Sequence, residues 1–144
     1  VVDFLEDVNS SQLGYAERTR ACHLAGALMA EILEAEYEEA DPPRVFGPEA
    51  GETGTGTRAA LDDVDDYHGW TDSPPKDKDG SLLPNLAGWG RNVTVEYVDP
   101  EDFTSVEAGD LGVKRITVSV THNGQPVASL VTAVTRSWQH PPYE

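Results

Sequence analysis

The stretch Lys114-Arg115-Ile116-Thr117-Val118-Ser119-Val120-Thr121-His122-Asn123-Gly124 decides the fold class. Ile116, Val118 and Val120 alternate with Thr117, Ser119 and Thr121, the period of a strand buried on one face. Asn123-Gly124 follows at once. That dipeptide favours a type I′ turn, because both of its residues tolerate positive φ. Pro126 to Arg136 is then the return strand of a hairpin. Upstream, Asn92 to Val98 puts Val93, Val95 and Tyr97 on one face and reads as another strand. Asp99 to Gly112, between these strands, is long enough to be an excursion rather than a tight turn.

Further out, the N-terminal block changes period. Leu13, Ala16, Arg20, Leu24, Ala27, Leu28, Glu31 and Ile32 recur at three- and four-residue steps, with Leu24, Ala27, Leu28 and Ile32 as the apolar centre. Ser10 and Ser11 are candidate N-caps. Val1 to Asn9 reads as an extra helical stretch or a frayed end. Helix formers dominate from Ala25 to Glu36, and Asp41-Pro42-Pro43 is the expected stop. The expected fold is therefore α+β in one domain spanning 1–144. A long helix over 1–39 packs on a small, three- to four-stranded antiparallel sheet over 92–137. A long irregular loop over 40–91 joins them, and a proline-broken tail follows at 138–144. Leu24, Leu28 and Ile32 are expected to meet the sheet face that carries Ile116, Val118 and Val120.

Composition excludes several functions. In these 144 residues, Lys and Arg number 10 against 26 Asp and Glu, a net charge of −16. Nucleic acid and anionic membrane surfaces are poor partners for such a chain, whereas cations and basic proteins suit it. No apolar run reaches the ~18 residues that a membrane span requires. Cys22 is the single cysteine, which precludes an internal disulfide; it reads as a small buried hydrophobe. Cys22 and His23 are adjacent on a helix and diverge too far to act as a catalytic pair.

Chemistry concentrates in the loop. Asp62, Asp63, Asp65 and Asp66 place four carboxylates in five positions, and unpaired they repel. Ca²⁺, which takes several oxygen ligands, is the cofactor such a cluster could hold. The competing reading is that these aspartates cap turns. Asp77-Lys78-Asp79-Gly80 resembles part of a calcium loop, but Pro75 occupies the first ligand position. The run Gly51 to Thr57 lacks the lysine of a phosphate loop and reads as a linker. His68, beside Asp65 and Asp66, has no nucleophile motif with it, so no catalytic residue is assigned. Tyr67, Trp70 and Trp89 read as anchors of the loop on the sheet, with sugar stacking as the sharper alternative.

The order of helix, long variable loop and antiparallel meander resembles the type IV pilin and type II secretion pseudopilin family. The segment Arg20-Ala21-Cys22-His23-Leu24-Ala25-Gly26-Ala27-Leu28-Met29-Ala30-Glu31-Ile32-Leu33 is similar to the helix that follows the membrane-spanning part in minor pilins and pseudopilins. Phe46-Gly47-Pro48-Glu49, Leu61 to Trp70 and Lys114 to Thr121 also look like prepilin-type sequences. The resemblance covers roughly Ala16 to Arg136. It implies a structural subunit that acts by assembly rather than catalysis, with Leu24, Leu28 and Ile32 on the assembly helix. Other pilin or pseudopilin subunits would be its partners. It also implies an extracytoplasmic place, in the periplasm or at the cell surface, after anchoring in the inner membrane. The family's membrane span cannot be Val1 to Asn9, which carries Asp3, Glu6 and Asp7. Two other classes fit the same residues: a calcium-dependent or carbohydrate-binding surface module built on Asp62 to Trp70, and a hydrolase using Asp66 and His68.

Overall fold

The computed structural model describes the backbone of residues 2–136 and the side chains of residues 14–136. Ser10, Ser11 and Leu13, and the expected tail at 138–144, lie outside the described side chains. Helix α1 runs over Val2–Leu33. Five strands follow: β1 (Thr71–Asp72), β2 (Trp89–Asp99), β3 (Asp102–Val106), β4 (Val113–His122) and β5 (Gln125–Thr135). All pairings are antiparallel, in the order β1-β2-β4-β5, with β3 folded back on the end of β2.

The expected pilin-like α+β fold, a long helix on three to four strands, is corrected by this topology. The sheet has five strands and the architecture is mostly β, with one helix against it. The excursion after Val98 contains β3, and the loop contributes β1. Both were invisible to periodicity because β1 has two residues and β3, with Phe103 and Val106 exposed, has no buried face. The central hairpin forms where the alternation lies. Ile116, Val118 and Val120 are fully buried, and Asn123 and Gly124 take φ values of 50° and 78° in the turn.

The helix ends earlier than its composition suggests. Regular structure stops at Leu33 rather than at the Asp41-Pro42-Pro43 stop. The Glu36 amide donates to the Asp62 carbonyl at 3.2 Å, and the Val64 amide donates to the Glu36 carbonyl at 2.8 Å. Bonding to the distant loop has displaced the next helical turn, which propensity alone would have favoured.

Helix α1 lies across β4 and β5. Ala21, Leu24, Ala25, Leu28, Met29 and Ile32 form its buried stripe, in one core with Val93, Val95, Ile116, Val118 and Val120. The expected stripe is thus rotated: Ala27 is exposed, while Ala21, Ala25 and Met29 point inward. Cys22 is exposed, not buried, because it sits beside this stripe rather than in it. Leu24, Leu28 and Ile32 are spent on the sheet, so any assembly face of the helix must be a different one.

Candidate functional site

The loop between α1 and β2 holds the acidic site. Leu61 and Val64 are buried in the core, and the backbone between and after them turns into a single 3₁₀ turn, Asp65–Tyr67. Asp63 caps this turn: its Oδ1 accepts from the amides of Asp65 (3.0 Å) and Asp66 (3.2 Å). Asp66 Oδ2 reaches back to accept from the amides of Asp62 and Asp63, both at 3.0 Å. The turn-capping reading therefore holds for one oxygen of each carboxylate. The other oxygens, Asp63 Oδ2 and Asp66 Oδ1, are buried without a hydrogen-bond partner.

More carboxylates converge on them than the sequence cluster contained. One oxygen each from Glu39, Asp62, Asp63 and Asp66 lies within 4.8 Å of the others, and the same holds for Glu39, Glu49, Glu52 and Asp66. Burial, then the neighbouring Asp65 and Asp66, push Asp63 up to about 8. Burial is also the largest cause raising Asp66, Glu39, Glu49 and Glu52. Asp65, which adjacency had grouped with the cluster, lies outside both sets. Its Oδ2 pairs with Lys114 Nζ at 2.7 Å and its Oδ1 accepts from the Gly47 amide at 2.8 Å. Lys114 also donates to the Tyr37 carbonyl, which ties the sheet to the helix exit.

A second charged network pins the loop to the helix. The Arg58 guanidinium, almost fully buried, donates to both Glu31 carboxylate oxygens on α1 at 2.7 and 2.9 Å and to Asp72 Oδ2 at 3.2 Å. Arg91 on β2 grips Asp72 from the other side at 3.1 and 2.6 Å. Each partner satisfies the others, as buried charges require. None of these charges is free for chemistry.

The remaining candidates are structural. His68 Nδ1 accepts the Val95 amide at 3.0 Å, which commits that ring nitrogen to β2. Asp77 and Asp79 serve a tight turn: Asp79 Oδ1 accepts from the Ser81 amide, and Gly80 takes φ 93°. Tyr67 and Trp89 are buried, with Trp89 stacked on His122 at 4.1 Å, and Trp70 lies 5.3 Å beneath the Arg58 guanidinium. Tyr67 and Trp89 are thus packed as the anchor reading expects, and Trp70 is half-buried.

Opposite its buried stripe, α1 presents Ala16, Thr19, His23, Ala27 and Ala30, all exposed and spaced three and four residues apart. Arg20 borders this row, and Arg18, also exposed, lies beside it toward the buried stripe. Between Tyr15 and Ala30 the helix has one acidic residue, Glu17, and it is bonded to His122 at 2.6 Å. Beyond the helix the charge reverses, with Glu34, Glu36, Glu38, Glu39 and Asp41 in quick succession.

Sequence reasoning missed Arg58, Arg91, Lys114, Glu39, Glu49 and Glu52. Two had a signal. Counting in twos from Val93 puts Arg91 on the inward face, and from Ile116 it puts Lys114 there. The three glutamates, scattered along the loop, had none. No family model, curated protein or solved structure matches this chain.

Proposed function

We propose that the chain is a structural subunit, a minor pilin or pseudopilin, of a type IV pilus-like or type II secretion-like filament, and that it acts by assembly rather than catalysis. The outer face of α1 carries this reading. In a chain of net charge −16, the exposed residues from Tyr15 to Ala30 include no unpaired acid, and small residues line the row from Ala16 to Ala30. Small side chains let helices approach closely, and the Arg18 and Arg20 end complements the acidic stretch that follows the helix. A second copy, or a related subunit, staggered along the filament would bring the two together. The commitment of His68 and of the buried ions to structural bonds supports assembly over hydrolysis. On this reading the helices gather inside the filament, the sheets face outward, and the protein works outside the cytoplasm.

Ala27→Arg tests the face directly. Ala27 is exposed, so folding stability should stay within about 0.5 kcal/mol of the parent in a urea melt. Incorporation of the full-length protein into sheared filaments of the producing cell should be lost. Normal incorporation would remove the outer face of α1 from the interface.

A further inference from the structure

We propose that Glu39, Asp62, Asp63 and Asp66 bind a divalent cation of the calcium class, which clasps the exit of the helix to the 3₁₀ turn. This inference stands apart from the filament reading. An acidic cluster alone would not carry it. The deciding observation is that Asp63 and Asp66, 1% and 2% exposed, each keep one carboxylate oxygen buried and without a hydrogen-bond partner. Native proteins satisfy such atoms, and a cation would do so for several carboxylates at once, where water or shared protons would serve them singly.

Ligand number selects the ion. Within each of the two carboxylate sets, the ligand atoms lie within 4.8 Å of one another, and Glu39 and Asp66 belong to both sets. Ca²⁺ binds oxygen at 2.3–2.6 Å, so opposite ligands stand about 4.6–5.2 Å apart; for Mg²⁺ the span is about 4.0–4.2 Å. Separations within 4.8 Å admit either span, and four converging carboxylates favour Ca²⁺, because Mg²⁺ keeps several waters and takes one or two carboxylates. The cluster is also preorganised: four backbone amides hold the anchored oxygens of Asp63 and Asp66.

Titration calorimetry with CaCl₂, with MgCl₂ at equal ionic strength as the control, tests the site. The wild-type chain should give saturable calcium heats with Kd about 10⁻³ M or tighter, and a melting temperature raised by several degrees at saturation. Mg²⁺ should give a clearly smaller rise. Asp63→Asn with Asp66→Asn, and separately Glu39→Gln, should weaken calcium binding at least tenfold, whereas Glu101→Gln, on an exposed turn, should bind as the parent does. Glu39→Gln leaves the amide-capped turn intact, so it remains readable if the double variant folds poorly. Equal shifts with Ca²⁺ and Mg²⁺ would overturn the proposal, because they would mark screening of the net charge. Absence of saturable heat up to about 10 mM would also overturn it, leaving shared protons or water as the partners of these oxygens.

Discussion

Asp72→Ala should destabilise the chain by about 3–5 kcal/mol, the range for removing one partner of a buried ion pair. Asp72 is the hinge of a network in which two guanidiniums point at one carboxylate: Arg58 at 3.2 Å and Arg91 at 2.6 Å. It also accepts the Lys76 amide at 3.0 Å. Alanine would leave two cations buried side by side, with Glu31 satisfying only Arg58. Arg91 would keep only carbonyl partners, Lys76 at 2.7 Å and Leu24 at 3.4 Å. The loss should exceed what the Asp72–arginine attraction contributes, because the charges left behind stay desolvated. Urea denaturation measures it; a change below about 1 kcal/mol would mean that water reaches the guanidiniums, as at an exposed pair.

Leu28→Ala should follow at about 2–5 kcal/mol, through lost transfer energy and the cavity left behind. Leu28 is 1% exposed and sits mid-helix in the stripe that faces the sheet. The flanking side chains, Leu24 and Ile32, are one turn away on either side, and β4 and β5 form a rigid floor, so collapse into the gap is limited. Ala27→Gly provides the contrast at the next position. It should show only the helix-propensity effect of about 1 kcal/mol, because Ala27 is exposed. A Leu28→Ala loss under half a kcal/mol would show that the helix is not seated on the sheet.

How far the sequence reveals this fold depends on the range of the forces involved. Strands β2 and β4 were legible because Val93, Val95, Ile116, Val118 and Val120 bury one face of a two-residue period, and β5 because the Asn123-Gly124 turn signals a return strand. Strand β1 was not legible, since two residues cannot display a period. Its existence rests on Asp72 meeting Arg91, a contact nineteen positions apart in sequence. The helix end failed for a related reason: Glu36 bonds to Asp62 and Val64, and no local cap signals it. The candidate site was half legible. Asp63 and Asp66 stood out as crowded acids, but adjacency also drew in Asp65, whose charge Lys114 neutralises from another strand. Glu39, Glu49 and Glu52 joined only once the loop had folded.

The assembly claim is tested most directly by thiol labelling of the full-length protein in assembled and dispersed form. Within these 144 residues Cys22 is the single cysteine, so Cys22→Ser, with any cysteine outside them also replaced, provides a background without thiols. In that background, Ala27→Cys reports on the outer face of α1 and Val131→Cys, at a position 60% exposed on β5, reports on the sheet. The account predicts that maleimide labels both positions in the dispersed subunit, but in the assembled form labels Val131→Cys readily and Ala27→Cys only slowly. Equal labelling of the two in the assembled form, or protection of the sheet instead of the helix, would contradict it.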